Sequence, residues 1–310
     1  MTGPVSREFH SRGLALRYAD WGGDTRPPLI LLHGGLDHSR GWDELARALR
    51  ASHHVVAPDL RGHGDSAWSP DGDYSFAAYI SDLAAFMHHW KRGPVSIVAH
   101  SQGANIALRY AGIFPETVAR LVAIEGIPPP IEILQRQVAE RSGERMQAWL
   151  EERKKILPRH ATTAARTRAW IEQMRRLEGR RARPYASQQE MAERFLEDKE
   201  KRLDRAQAER IVHHGSRPTE DGRWVWKFDP QLNVQIPDEW QPEQLQQVWR
   251  NITCPVMMVM GRESWGYDAD MESRLTPHFR SLQVATLAAA GHWCHLNQPE
   301  AFLELLRGFL

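Results

Sequence analysis

Five short apolar runs, each bounded by Gly, Pro or Asp, alternate along the chain with segments of helical periodicity. Such runs are typical of strands that are buried on both faces of a parallel sheet. Between two of them, the apolar residues of segment 76–87 recur every three or four positions and form one stripe on a helix. The alternation predicts a doubly wound α/β fold with a mostly parallel sheet. The predicted strands are Pro28–His33, His54–Asp59, Pro94–His100, Leu121–Glu125 and Pro255–Met260.

The composition changes after three consecutive prolines at 128–130. Residues 127–245 carry 43 charged side chains in 119 positions, whereas the other 191 residues carry 36, so this segment is predicted to be a separate unit. Segments 144–157 and 188–211 within it have helical composition. We therefore predict a catalytic α/β domain formed by residues 1–126 and 246–310, with residues 127–245 inserted as a helical cap.

The near balance of charge disfavours several classes of partner. Forty basic and 39 acidic side chains leave a net charge of +1, so no overall field attracts nucleic acid. Residues 1–13 are too polar for a signal peptide, and no run of about 18 apolar residues predicts a membrane span. Cys254 and Cys294 are too few for a disulfide framework. We expect a cytoplasmic protein with a small-molecule ligand and no membrane partner, and leave a homodimer open.

The sequence Ala-His-Ser-Gln-Gly at 99–103 follows a predicted strand and precedes a predicted helix. A serine at such a sharp turn has a strained backbone, so small residues are needed two positions before and after it. Ala99 and Gly103 meet this requirement. The pattern predicts Ser101 as a nucleophile. Because serine is weakly nucleophilic at neutral pH, a neighbouring base must remove its proton.

Four motifs in this order make the chain resemble the α/β-hydrolase family, over residues 1–126 and 246–310. They are His33-Gly34-Gly35, Asp59–Ser66, Ala99–Gly103, and Gly291-His292 followed by Asn297–Glu300. Gly291 and His292 follow an apolar run at 282–290. Their loop resembles the one that carries the catalytic histidine in this family. His292 is therefore predicted to be the base.

Attack of a serine on a carbonyl group creates an oxyanion, which needs hydrogen-bond donors. The backbone N–H of Gln102 at the start of the predicted helix is one such donor, reinforced by the helix dipole. The resemblance implies Gly35 as the second donor, since the lack of a side chain lets the backbone approach the substrate. It also implies that Asp59, Arg61 and Ser66 have a structural role in the loop after their strand.

The carboxylate that orients the base is not in the usual place. Most α/β-hydrolases carry an aspartate in a G-x-x-D pattern after the strand at 255–260, where this chain has Ser264. Glu125 ends the preceding predicted strand, and haloalkane dehalogenases and zearalenone-type lactonases of this fold carry their acid there. Glu263 is the alternative, although neighbouring residues in extended chain face opposite sides. We favour Glu125 as the partner of His292 and keep Glu263 open.

The other histidines give no strong signal of a site. His295 competes locally with His292 as the base, and His100 is expected to be structural. Three adjacent pairs could bind a metal, but neighbouring side chains point in different directions. The pairs are His53-His54, His88-His89 and His213-His214. We predict no metal site and no cofactor.

Three of the 12 tryptophans follow the predicted catalytic motifs closely, namely Trp42, Trp265 and Trp293. We predict that they line an apolar substrate pocket. The combined pattern predicts a serine hydrolase that cleaves a carboxylic ester or lactone with an apolar or aromatic moiety through an acyl-enzyme. The alternatives are carbon–carbon bond hydrolysis, cofactor-free oxygenation by similar residues, and a non-catalytic ligand receptor. A serine at 101 disfavours a dehalogenase or an epoxide hydrolase, which use a carboxylate nucleophile.

Overall fold

An eight-stranded sheet forms the centre of the protein. The computed structural model describes residues 3–127, 163–177, 179, 181–198, 201–234 and 240–310. The eight strands of this sheet are β1 (Val5–Ser11), β2 (Leu14–Asp20), β3 (Pro28–Leu32), β4 (His54–Pro58), β5 (Val95–His100), β6 (Val118–Ile124), β9 (Val256–Gly261) and β10 (Leu282–Leu287).

The strand order is β1-β2-β4-β3-β5-β6-β9-β10. Strands β4, β3, β5, β6, β9 and β10 run parallel, whereas β2 pairs antiparallel with both β1 and β4. Every residue of β4 and β9 is buried, as expected for strands covered on both faces. The predicted doubly wound and mostly parallel sheet is confirmed.

Helices cover both faces of the sheet. One apolar cluster joins the sheet to α2 and α3, and a second cluster on the opposite face joins it to α1 and α10. The carboxyl ends of the parallel strands therefore meet at one edge, between the two helical layers. The helices of the described chain are α1 (Asp43–Leu49), α2 (Phe76–Trp90), α3 (Gln102–Ile113), α4 (Thr163–Leu177), α5 (Gln188–Leu196), α6 (Arg205–Gly215), α7 (Pro242–Arg250), α8 (Met271–Leu275), α9 (Cys294–Asn297) and α10 (Pro299–Phe309). None of them is long and apolar enough to cross a membrane.

The described residues between β6 and β9 form helices and one small hairpin. The hairpin pairs β7 (Ser216–Pro218) with β8 (Trp224–Trp226), which the helical interpretation of the cap did not include. The sequence Trp-Val-Trp explains β8, because aromatic and β-branched side chains favour extended backbone. The predicted helix at 188–211 corresponds to α5 and α6, and segment 144–157 lies outside the described residues.

Helix α7 packs closely on the α/β core. A Cβ added to Gly112 of α3 would lie 2.2 Å from the carbonyl oxygen of Val248, so the two helix backbones are nearly in contact. The predicted domain boundary after residue 245 falls inside α7, which begins at Pro242. The domain division itself stays a prediction.

Asp59, Arg61 and Ser66 stabilise the loop that follows β4. The Asp59 carboxylate accepts a hydrogen bond from the N–H of Ser39 at 2.6 Å, and the Ser66 hydroxyl donates to the Asp59 carbonyl oxygen at 2.7 Å. The Arg61 guanidinium, 2% exposed, donates two hydrogen bonds to the Asp82 carboxylate on α2, at 2.6 and 2.7 Å. These contacts agree with the structural role that the resemblance implies.

We expect Arg61→Met to lower the free energy of unfolding by about 3–5 kcal/mol, because the Asp82 carboxylate would remain buried without its partner. The matched control is Arg12→Met. Arg12 lies 3.1 Å from Asp73 and its side chain is 51% exposed, so we expect a loss below about 1 kcal/mol. Urea denaturation followed by tryptophan fluorescence measures both losses. Equal losses in the two variants would contradict the structural role of Arg61.

Candidate active site

Ser101 lies at the sharp turn between β5 and α3. Its backbone has φ 51° and ψ −116°, a conformation that L-residues rarely adopt. The turn is held because the Ser101 N–H donates to the carbonyl oxygen of Ile124 at 2.7 Å. A Cβ added to Gly103 would lie 2.3 Å from the carbonyl oxygen of His33, so only glycine fits there. This geometry raises the Ser101 hydroxyl above the edge of the sheet, as the sequence pattern predicts.

The imidazole of His292, in the loop after β10, lies beside this hydroxyl. The distance from His292 Nε2 to Ser101 Oγ is 3.0 Å. The ring packs between two others, since its centroid lies 5.0 Å from that of Trp265 and 4.9 Å from that of His100. His292 therefore has the position that a base for Ser101 requires.

The carboxylate of Glu125, directly after β6, lies on the other side of the imidazole. Glu125 Oε2 is 3.3 Å from His292 Nδ1, and the side chain is 3% exposed. The residue has φ 52°, and its N–H donates to the carbonyl oxygen of Val259 at 3.0 Å, which ties this unusual backbone to β9. Ser101, His292 and Glu125 thus form one chain of hydroxyl, imidazole and carboxylate.

Two further donors hold the Glu125 carboxylate, and sequence analysis did not identify either. The backbone N–H of Gly261 donates to Oε1 at 2.8 Å, and the hydroxyl of Ser264 donates to Oε2 at 2.8 Å. Ser264 is fully buried and also accepts a hydrogen bond from the N–H of Gly266 at 3.0 Å. The position at which an aspartate is expected therefore supplies a neutral partner for the displaced acid. The sequence signal for this contact was Ser264 itself, which stands where an aspartate is expected.

Glu263, the alternative acid, points away from His292. Its carboxylate forms an ion pair with the guanidinium of Arg202, in the chain between β6 and β9. The side chain of Glu263 is 43% exposed, against 3% for Glu125. The structure therefore brings Glu125, and not Glu263, to the imidazole.

The loop after β3 passes directly over the nucleophile. A Cβ added to Gly34 would lie 3.1 Å from Ser101 Cβ, and one added to Gly35 would lie 2.8 Å from the side-chain oxygen of Gln102. His33 holds this loop, because its Nε2 accepts a hydrogen bond from the N–H of Leu60 at 3.0 Å and its Nδ1 donates to the carbonyl oxygen of Gly34 at 2.7 Å. The loop and the start of α3 are thus adjacent, as two oxyanion donors must be.

The three tryptophans have different environments. Trp265 is half-buried beside His292, and Trp293 is 8% exposed and packs edge-on against Phe195 of α5, with ring centroids 6.3 Å apart. Trp42 is only 1% exposed and lies in the apolar cluster with α1 and α10. An enclosed side chain offers no surface to a ligand, so the assignment of Trp42 to a substrate pocket is corrected to a core role.

His100 and His295 are buried next to the base. His100 Nε2 donates to the carbonyl oxygen of His292 at 2.9 Å, and the rings of His100 and His295 have centroids 4.6 Å apart. Burial lowers the pKa of His295 to about 3 and holds the pKa of His100 well below its usual range. These neutral rings pack beside the loop that carries His292, while His292 provides the contact with Ser101. In the described part of the chain, no group of three potential ligands could hold a metal ion.

We expect His295→Gln to make the protein less sensitive to acid. Burial lowers the pKa of His295 from 6.5 to about 3, so below pH 6.5 the unfolded chain binds a proton that the native state does not. This penalty is absent above pH 6.5 and grows by about 1.4 kcal/mol per pH unit as the pH falls towards 3. The free energy of unfolding should therefore drop by about 2 kcal/mol less between pH 7 and pH 5 in the variant.

Urea denaturation at each pH measures this difference. The control is His10→Gln, which replaces a histidine whose side chain is 69% exposed on β1. If His295→Gln and His10→Gln lost stability equally on acidification, the burial of a neutral imidazole at 295 would be contradicted.

Comparison with known proteins agrees with the fold of the chain. A family model described as alpha/beta hydrolase fold matches residues 27–299. The esterase Rv0045c of Mycobacterium tuberculosis is 27% identical over 100% of this chain and 91% of its own length, and the sn-1-specific diacylglycerol lipase ABHD11 of Mus musculus is 26% identical over 96% and 86%. The solved thioesterase domain from the curacin biosynthetic pathway, 18% identical, superposes with a TM-score of 0.81 over 99% of this chain and 100% of that chain. Because the family model covers most of the chain, the protein belongs to the α/β-hydrolase fold family.

Proposed function

We propose that the protein is a serine hydrolase that cleaves a carboxylic ester or lactone through an acyl-enzyme. The observation that carries this proposal is the position of the His292 ring, with Nε2 at 3.0 Å from Ser101 Oγ and Nδ1 at 3.3 Å from Glu125 Oε2. In this order the imidazole can accept the proton of the hydroxyl, while the carboxylate orients the ring and stabilises the imidazolium that forms.

In the first half of the reaction, Ser101 Oγ attacks the carbonyl carbon of the substrate while His292 Nε2 accepts the hydroxyl proton. The tetrahedral intermediate collapses as the bond to the leaving oxygen breaks, and His292 returns the proton to that oxygen. An acyl group then remains on Ser101, and the alcohol departs. In a lactone the alcohol stays attached to the acyl chain.

In the second half, water replaces the alcohol. His292 Nε2 removes a proton from the water as it attacks the acyl carbon, and later returns the proton to Ser101 Oγ as the ester bond breaks. The products are a carboxylic acid and free enzyme. Each half uses the same imidazole as base and then as acid, so no other proton carrier is needed.

The backbone N–H groups of Gly35 and Gln102 are proposed to stabilise the oxyanion in both halves. Gln102 is the first residue of α3, so its N–H has no partner within the helix and lies at the positive end of the helix dipole. The close approach of Gly35 to the Gln102 side chain supports a shared site. Preorganised donors of this kind contribute about 2.7–4 kcal/mol each in other enzymes.

Glu125 is proposed to fix the orientation of the ring and to stabilise the imidazolium that forms after proton transfer. A carboxylate at Nδ1 keeps the proton on that nitrogen and leaves Nε2 free to accept one. The Gly261 N–H and the Ser264 hydroxyl support this role, because both donate to the carboxylate and stabilise its negative charge. Buried in this way, Glu125 acts on the ring rather than on solvent.

The class of substrate is proposed from the ring beside the base and from the relatives. Trp265 presents a half-buried indole next to His292, which favours an apolar or aromatic group near the cleaved bond. The two curated relatives named above are an esterase and a diacylglycerol lipase, and both names refer to ester cleavage. We also propose that the substrate is a small molecule and that the protein is located in the cytoplasm.

Covalent labelling tests the proposed nucleophile. We expect a fluorophosphonate to modify Ser101, with labelling abolished in Ser101→Ala and slowed at least about 100-fold in His292→Ala, because phosphonylation needs the same proton transfer. Mass spectrometry of the labelled peptide and a panel of aryl esters and lactones provide the readouts. A ligand receptor on this fold would give wild-type labelling no faster than Ser101→Ala, and that result would overturn the proposal.

A pair of matched variants tests the displaced acid. Glu125→Gln should lower kcat by about 10²–10⁴-fold, since the neutral amide cannot stabilise the imidazolium. Glu263→Gln should stay within about threefold of wild type, because Glu263 forms only a half-exposed ion pair. Steady-state hydrolysis of one aryl ester by folded protein, checked by circular dichroism, compares them. A large loss in Glu263→Gln with none in Glu125→Gln would reverse the assignment.

A further inference from the structure

The side chain of Asn297, the last residue of α9, joins the loop of the base to the inserted region. Its Oδ1 accepts a hydrogen bond from the N–H of Gly291, the residue before His292, at 2.9 Å. Its Nδ2 donates to the carbonyl oxygens of Lys201 and Arg202, at 2.9 and 3.0 Å. The nitrogen and the oxygen of this amide group therefore connect residues 201 and 202 with the loop that carries His292.

The carbonyl groups that receive these bonds lie in an unusual stretch of backbone. Arg202 has φ 51°, a left-handed conformation that costs energy for a residue with a side chain. Such a conformation persists when surrounding contacts hold it. The two bonds from Asn297 are contacts of this kind.

Two other contacts join the same two regions. The side-chain amide of Gln207, in the first turn of α6, donates to the carbonyl oxygen of Leu296 at 2.7 Å. The Arg202 guanidinium forms an ion pair with Glu263 in the loop after β9. We call residues 201–207 the junction segment. It is connected both to the loop of the base and to the loop that contains Ser264.

We propose that Asn297 is a positioning residue that makes the placement of His292 depend on the junction segment. Asn297 touches no reacting atom; it acts through the Gly291 N–H, one peptide from the base. The inference rests on the proposed function, because it treats His292 as the base. When the junction segment is displaced, the Asn297 amide loses the two bonds from Nδ2, so the side chain that holds Gly291 through Oδ1 is no longer fixed in position.

This dependence follows from the short distance between anchor and base. The contact from His292 Nε2 to Ser101 Oγ is 3.0 Å, and an added displacement of about 1 Å at a catalytic group lowers rates by up to about 100-fold. The His292 carbonyl oxygen has a second anchor, the ring of His100, at 2.9 Å. Loss of the Asn297 junction should therefore slow the reaction without abolishing it.

Two substitutions at Asn297 separate the two sides of the junction. Asn297→Asp keeps an oxygen for the Gly291 N–H but removes both donors to the junction segment. Asn297→Ala removes both sides. The matched control is Asn251→Asp, the same amide-to-carboxylate change at an exposed residue directly after α7.

The assay is hydrolysis of 4-nitrophenyl acetate on the plateau of the pH profile, with active sites counted by fluorophosphonate titration. We expect kcat per titrated site to fall about 10-fold in both Asn297→Asp and Asn297→Ala, with KM within about twofold, while Asn251→Asp equals wild type. Amide hydrogen exchange in residues 201–207 should be faster in both Asn297 variants. A purely structural role would instead lower the number of titratable sites and leave kcat per site unchanged.

Wild-type kcat per site in Asn297→Asp, with a loss only in Asn297→Ala, would overturn the proposal, because the Gly291 bond alone would then be sufficient. Loss of titratable sites with normal kcat per site would overturn it as well. Failure of the proposed function looks different, since wild-type protein would then neither hydrolyse the ester nor react at Ser101.

Discussion

The contact between Glu125 and His292 is the constraint on which the rest of the site depends. A carboxylate from the end of β6 reaches the ring only because its residue adopts φ 52° and is tied by its N–H to β9. The loop after β9 places no carboxylate at the imidazole of His292, since Glu263 pairs with Arg202 instead. Ser264 occupies that place, and its hydroxyl donates to Glu125. The residue at the usual position of the acid, Ser264, thus holds the carboxylate of Glu125, which follows the neighbouring strand β6.

Local patterns predicted much of the fold and two members of the site. Strands β3, β4, β5, β6 and β9 are mostly apolar because helices cover both faces, so their sequences are distinctive. Strand β1 at the edge of the sheet mixes exposed and buried residues, and β2 beside it mixes half-buried and buried ones, so neither carries such a signal. Ser101 and His292 belong to short motifs whose spacing reflects backbone geometry. Their prediction therefore required no knowledge of distant contacts.

The remaining features depend on contacts between distant parts of the chain. The hydroxyl of Ser264 meets Glu125 across 139 positions, and no local pattern encodes that bond. The prediction for Trp42 was wrong for another reason: Trp42 closely follows the motif at 33–35 in sequence, yet its side chain lies in the core with α1. Nearness in sequence specifies where a residue lies on the chain, but not which way its side chain points. The acid could be inferred only from an absence at 264 and from resemblance.

The predicted insertion, residues 127–245, begins two residues after Glu125. Gly126 lies against α3, where an added Cβ would be 2.5 Å from the Cβ of Ala104, and Ile127 is buried in the core cluster. These two residues are all that separates Glu125 from the residues after position 127. In a hydrolase whose acid follows β9, the insertion can be exchanged or shortened far from that carboxylate. Here, an insertion that is exchanged during evolution or engineering is joined to Gly126 and Ile127. It must preserve the packing of these two residues, because a displacement of either would shift the carboxylate of Glu125 next to His292.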